Sequence, residues 1–426
     1  KTDLELREQL RRNLTHELEE ELASFRYHAE VAVAYKGGDA DSVSDINPNG
    51  HKQLSNLFFN KLKLVGMGVS TNKENRDRMM RHPRTDADSY AMLQVLNSYK
   101  ETVKFLSTYV NTTLDDDDRM RCDYKQHGVV EAPGRLSSAK TLWGTGMNLQ
   151  NQPQRAYPMY CADPGYAFMY FDLAQAEARI VAHVAQVKGL LHNFELAKED
   201  PANNDVHRLN AAMIYREPYD DIPTKDYNED GTHTKRYLGK RCVHGLNYRM
   251  QAPRLASTTG IPLQQAFDAH RSYHLAFPEV EAWWTELTKE IRATKMLFTP
   301  LGRRLFMMET LDDRALDSIV AFIPQSTIGD FVSATIYLCH SDSDWPRYAD
   351  GSLAARIVLN VHDALIALYL DNDEHRQACY TVMKRHAERS ILIRGTDVVI
   401  PAEFKCSVPD DNGVHRWSSL ESYDGI

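Results

Sequence analysis

Leucines and one phenylalanine recur among charged residues at the start of the chain. Leu4, Leu10, Leu14, Leu18, Leu22 and Phe25 keep a spacing close to the helical period. That pattern predicts one long helix from residue 4 to about 34, ended by Lys36-Gly37-Gly38. A second helix is expected with Asn47 as N-cap, Pro48 in its first turn, and Leu54, Leu57, Phe58 and Leu62 turned inward. A third is expected from about Asp86 to Val110. Asp115 to Asp118 has to form a solvated loop tip, and strand composition takes over from Met120 to Ser138.

Further on, Tyr166-Ala-Phe-Met-Tyr-Phe171 is a continuous apolar run, as a strand covered on both faces requires, and Asp172 ends it. Ala176, Ile180, Val181 and Val184 then keep a helical spacing. From Asp205 to about Leu297 helices dominate, broken at Gly260-Ile-Pro262 and Phe277-Pro278. A strand pair is predicted at Arg356–Val361 and Ala364–Leu370, joined at His362-Asp363. Helices, strand–helix, helices and hairpin, in that order, indicate an α+β fold with a mostly antiparallel sheet. At 426 residues, two or three subdomains are expected.

Composition is that of an ordinary soluble protein, 42% hydrophobic and 26% charged, with no uninterrupted apolar stretch of membrane-spanning length. The expected setting is intracellular. Six scattered cysteines without a CxxC pair argue against structural zinc and against a disulfide framework. His270 and His274 sit one helical turn apart, but no third ligand is evident, which favours two helix-surface histidines over a metal site. The net charge of −9 gives no support to nucleic-acid binding, but charge acts locally. Between Lys61 and Arg84 stand seven basic residues against two acids, a segment suited to a phosphate backbone or to plain solvation. The chain starts without Met or a signal-peptide profile, as a piece of a longer protein would.

Three constellations carry chemistry. Asp172 at a strand end, followed by Gln175, Glu177 and Arg179, can offer a carboxylate to a cation; alone it reads more readily as a helix N-cap. Arg236, Lys240, His244 and Tyr248 recur every fourth residue, so two cations and two rings share one drifting helical stripe. Cations followed by flat rings suit a triphosphate at one end and a base at the other. Gly245 inside that helix suggests a close approach by another group. Third, His362-Asp363 between two apolar runs presents an acid on a hairpin turn.

In this order the three resemble motifs A, B and C of the DNA polymerase I family, family A. Gly134-Arg135-Leu-Ser-Ser138, Asn148-Leu-Gln150-Asn151, Asp205-Val-His207-Arg208, Thr299–Arg304 and Pro324-Gln325 resemble further segments of that family, so the likeness covers nearly the whole chain. It implies a right-hand fold: thumb over 1–118, palm over 119–190 and 299–426, fingers over 191–298. It implies primer extension from dNTPs with two magnesium ions, for which manganese can substitute, held by Asp172, Asp363 and the Leu173 carbonyl. Lys240 and Arg236 would neutralise the triphosphate, Lys240 also protonating pyrophosphate, and His207 would meet the outer phosphates. Gln175, His244 and Tyr248 would complete the nucleotide site, with Glu177 excluding a ribose 2′-hydroxyl. Arg135, Asn148, Gln150, Gln325, His362 and Tyr248 would contact primer–template DNA. The implied enzyme is a monomer without membrane contact, and a processivity factor or other replisome proteins are further expected partners. No acidic cluster resembling an exonuclease appears in the chain.

Departures from the family pattern point to a divergent, viral member. His244 replaces the usual Phe or Tyr and is expected to relax discrimination against 3′-deoxy terminators. Ala364 replaces a second motif C acid, Arg249 stands where Gly is usual, and Ala139–Met147 is longer than the usual link. Two rivals remain open at this point: a phage-type RNA polymerase, which Glu177 opposes, and a catalytically dead DNA-gripping subunit, which the two aspartates with Lys240 oppose.

Overall fold

The computed structural model describes residues 1–125, 134–200, 203–228, 233–307 and 311–425. They divide into two compact units, one of Lys1–Asp123, Ala139–Cys161 and Arg416–Ser418, the other of Tyr124–Ser138, Ala162–His415 and Ser419–Ile426.

The first unit is helical. α1 (Leu4–Tyr35) starts where the Asp3 carboxylate accepts the Leu6 N–H at 3.0 Å, and stops at Lys36 with Gly37 in the left-handed region behind it. Phe25, Ala29 and Val33 of this helix pack with Leu54, Leu57, Phe58 and Leu62 in a buried cluster; Leu4 is half exposed and outside it. The second helix does not start at Asn47. Asn47 Oδ1 accepts the Asn49 N–H at 2.8 Å, which holds Asn47-Pro48-Asn49 as a turn, and α2 (His51–Ser55) follows from Gly50. Its backbone then widens into a π-helical turn over Asn56–Lys61.

The basic stretch contains a helix the apolar pattern does not announce, α3 (Lys73–Arg81), with Asn72 accepting the Asn75 N–H. Only Asn75, Arg76 and Met79 of it are buried. Arg76 is a structural group, bonded through Nε to Asn97 Oδ1 at 2.7 Å and through Nη1 to the Thr71 carbonyl, whereas Arg78 and Arg81 are exposed. α4 (Ala87–Phe105) begins on Asp86 as expected and ends in a second π turn, Leu106–Val110. In the aspartate run, Arg121 grips Asp115 and Asp117 and the backbone turns at Asp118. Two short strands follow, β1 (Asp123–Lys125) and β2 (Ser137–Ala139); most of the rest of the predicted strand region lies outside the described residues.

The second unit is built on β3 (Tyr166–Leu173), whose Ala167, Met169, Phe171 and Leu173 are buried. Behind it come α5 (Ala176–Val184), α6 (Lys188–Glu199), α7 (Val206–Tyr215), α8 (Lys235–Asn247), α9 (Ala252–Thr259), α10 (Leu263–Ala276) and α11 (Pro278–Thr294). The hairpin of β4 (Met296–Phe298) and β5 (Arg304–Phe306) leads to α12 (Asp313–Ser341), then β6 (Arg356–Val361), β7 (Ala364–Leu370) and α13 (Asp373–Ala387). β8 (Ile391–Ile393), β9 (Thr396–Val398), β10 (Ala402–Pro409) and β11 (His415–Ser422) complete the order. Five strands form one sheet in the order β11-β10-β3-β7-β6, every neighbouring pair antiparallel. One large core joins β3 and β7 to α5, α11, α12 and α13. α12 is long and apolar enough to cross a membrane by length and composition, but two-thirds of its most apolar window is buried within the fold.

His274 is a core residue, not a surface one. It is 7% exposed, its ring meets those of Tyr273 and Trp284, and neither ring nitrogen has a hydrogen-bond partner. Burial, then the neighbouring His270, brings its pKa down to about 4. Among the described residues no three His, Cys, Asp or Glu side chains gather as a metal-binding group.

Candidate active site

Asp172 lies inside β3, one residue short of its end, because pairing with β10 continues through Leu173. Its register partner on the other side is Ala364, the first residue of β7, so Asp172 and Asp363 are cross-strand neighbours. The Leu173 N–H also donates to the Asp363 carbonyl at 3.4 Å. β6 and β7 close at Val361↔Ala364 around the two-residue turn His362-Asp363. His362 is held at φ 59°, a left-handed conformation that costs a non-glycine residue about 1–2 kcal/mol. The Asn360 side chain supports it by donating to the His362 carbonyl at 3.2 Å, and the Tyr124 hydroxyl bonds the Asn360 backbone. Burial, then the charge of Asp363, raises Asp172 to about 7 against the opposing pull of Lys240. Two carboxylates crowded in this way at a strand end form an oxygen donor set that a hard divalent cation such as magnesium would neutralise. The residues fit that ion.

α8 forms the second wall. Thr234 caps it, with its hydroxyl accepting the Tyr237 N–H, and Arg236, Lys240 and His244 follow along one stripe, with Tyr248 just beyond its last turn. The helix lies close to α7 because Gly239 has no side chain: a Cβ there would stand 2.8 Å from Ala211 Cβ and 2.9 Å from the His207 carbonyl. Gly245 has a local reason, since the Met250 side chain folds back over it. Arg236 meets two carboxylates, Asp205 at 2.7 Å and Asp226 on its other arm, and Lys240 stands 4.0 Å from Asp226. His207 is buried with both ring nitrogens unpartnered, its ring 6.2 Å from that of His244. Burial, then Lys240, His244 and Arg236, keep it neutral, with its pKa well below the usual range.

Glu177, in the first turn of α5, joins the two walls. Arg135 donates to one carboxylate oxygen; the Tyr248 hydroxyl donates to the other at 2.5 Å, with His244 Nδ1 3.5 Å away. Burial would raise this carboxyl, but the hydrogen bond from His244, the Arg135 charge and the Tyr248 hydroxyl outweigh it and hold Glu177 well below the ordinary range. Burial, then Glu177, pushes the Tyr248 phenol far upward. Arg135 reaches Glu177 over Gly329, a glycine on the same face of α12 as Gln325, and keeps its Nε buried without a partner. Gln175 sits in the left-handed conformation before α5 with its side-chain amide oxygen Oε1 buried and unpartnered. Arg249, also left-handed, reaches Asp313 and Asp317 at the start of α12.

The second unit therefore brings together Asp172, Asp363, Glu177, Arg135, His207, Arg236, Lys240, His244 and Tyr248. Asn148 and Gln150 belong to the first unit, where Asn148 Oδ1 accepts the Gln150 N–H and Gln150 is buried. Sequence reasoning missed Asp205 and Asp226 as partners of Arg236. Asp205 carries a visible signal, standing as N-cap of α7 with its oxygen on the His207 N–H; Asp226 carries none.

The model of the family described as DNA polymerase family A matches residues 9–408. DNA polymerase I of Helicobacter pylori is 27% identical over 338 residues, covering 76% of this chain and 33% of that protein. The thermostable DNA polymerase I of Thermus aquaticus is 25% identical over 382 residues, covering 86% and 41%. The chain thus spans between a third and two-fifths of the length of these relatives. Among solved structures, the polymerase domain of Pol1 from M. smegmatis, in complex with DNA primer-template and dNTP, superposes with a TM-score of 0.72 at 21% identity, over 98% of this chain and 67% of that one. The fold is that of a family A polymerase domain.

Proposed function

The chain belongs to DNA polymerase family A, and from that premise we propose that it extends primer 3′-ends with dNTPs on a DNA template. The observation that carries this reading is the β3–β7 register, which sets Asp172 opposite Ala364 and so beside Asp363, within reach of the Lys240 charge on α8. Two magnesium ions bound at these carboxylates, with the Leu173 carbonyl, would supply a more acidic primer hydroxyl and neutralise charge on the leaving pyrophosphate. Arg236 and Lys240 bind the triphosphate in exchange for their present carboxylate partners, and Lys240 gives the leaving group its proton. His207 offers an uncharged, unpartnered ring to the outer phosphates. Glu177 occupies the space a ribose 2′-hydroxyl would need, and Tyr248 stacks beside the template base. Arg135, Gln325 and His362 in the second unit, and Asn148 and Gln150 in the first, contact primer–template. In this reading residues 1–118 are the thumb, 119–190 and 299–426 the palm, and 191–298 the fingers.

The test is primer extension with each set of nucleotides. The expected result is magnesium-dependent use of dNTPs, lowered by about a thousandfold in Asp172→Asn and in Asp363→Asn while DNA binding persists. Preferential use of rNTPs would point to an RNA polymerase, and DNA binding without extension to a subunit that only grips DNA; either result overturns the proposal.

A further inference from the structure

The ring of His244 is directed at Glu177, not only at a nucleotide. Its Nδ1 lies 3.5 Å from the same carboxylate oxygen that takes the Tyr248 hydroxyl, while Arg135 holds the opposite oxygen. In the tautomer with its proton on Nδ1 the ring is a donor to this carboxylate, which no phenylalanine at this position can be. Three donors, one on α8, one just beyond its end and one in the loop before β2, thus converge on one carboxylate whose side chain is only 13% exposed. A buried carboxylate with one donor can swing about its last torsion; with three it is fixed in one orientation.

We propose that His244 is a positioning residue for sugar selection, holding Glu177 where it excludes a 2′-hydroxyl. The inference rests on the reading of Glu177 as the sugar gate and adds a group to it. It also changes what the histidine is expected to do. With its donor committed to Glu177, the ring acts on the 2′ side of the sugar, and discrimination at the 3′ position is not its main effect. Neighbouring groups are consistent with this direction. His207 offers an uncharged ring 6.2 Å away, and the nearest cation on the same helix face, Lys240, stands one turn back.

The experiment measures single-nucleotide insertion by the full chain, with dNTP, rNTP and ddNTP on one primer–template, for the parent, His244→Phe, His244→Gln and Glu177→Ala. His244→Phe, which keeps a flat ring but lacks the donor, should lower the dNTP-to-rNTP ratio of kcat/KM about tenfold. His244→Gln, which restores an N–H donor, should keep that ratio within about threefold of the parent. A ratio unchanged in His244→Phe, a shift confined to ddNTP, or equal losses in both variants would overturn the inference. If Glu177→Ala fails to admit ribonucleotides, the gate reading falls and this inference with it. If Glu177→Ala admits them and His244→Phe does not, the gate stands and only the role of His244 is wrong.

Discussion

Arg236 and Lys240 meet carboxylates in the positions where a triphosphate is proposed to bind, and the two carboxylates are not equivalent. Asp205 also accepts the His207 and Arg208 N–H groups at the start of α7, so its removal would loosen a helix. Asp226 takes Arg236 and faces Lys240 from 4.0 Å, so it would compete directly with the triphosphate proposed to bind there. Asp226→Asn should therefore lower KM for dNTP about two- to fivefold with little change in kcat, since the charge pairing displaced is partly solvated. Steady-state kinetics at fixed magnesium decides this, and an unchanged or raised KM would reject the competition. The residues proposed for the site stand out in the sequence because their spacing is local: four-residue steps for α8, and two apolar runs around His362-Asp363. Asp226 was not, because its partners lie ten and fourteen positions further along the chain on another element. His274 was misread for a related reason, since helical spacing shows that two histidines share a face but not what covers that face.

Between elements, the site depends on how closely α7 and α8 approach. Gly239 permits that approach, since any Cβ would press on the Ala211 Cβ and the His207 carbonyl, both within 3 Å. Gly239→Ala would gain helix propensity worth roughly 1 kcal/mol, but overpacking against backbone costs about 1–3 kcal/mol. The net expectation is a melting temperature lower by several degrees together with a raised KM for dNTP, because His207 and the α8 cations would be pushed apart. A melting curve and a KM measured on the same preparation check both halves; a stabilised variant with normal KM would show that the helices can separate freely. Strong apolar patterns gave the elements their limits with little error: β6, β7 and the start of α4 stand where the sequence places them. The polar ones were lost. α3 buries only three side chains, two of them polar, so no apolar period marks it, and Asn47-Pro48 carries the same residues whether it caps a helix or closes a turn.

For the whole molecule, a net charge of −9 has to be reconciled with a polyanionic partner. Screening confines each charge to about 10 Å at ordinary ionic strength, so affinity depends on which cations are free to meet phosphates, not on the sum. Several basic residues are committed elsewhere: Arg76 is buried on Asn97 and Thr71, Arg121 is held by Asp115 and Asp117, and Arg303 by Asp330. In the basic stretch of the first unit, Arg78 and Arg81 are exposed and take no carboxylate partner among the described residues. If they follow the DNA backbone, Arg78→Ala with Arg81→Ala should flatten the plot of log affinity against log salt by close to two, at about 0.9 for each phosphate no longer neutralised. Arg76 is left in place in that comparison, because removing it would strip one buried and one part-buried hydrogen bond and confuse unfolding with weaker DNA binding. Anisotropy titrations of labelled primer–template across a salt series give the slope directly. An equal slope in parent and variant would mean that these two arginines only keep α3 in solvent, and that the phosphates are met elsewhere on the chain.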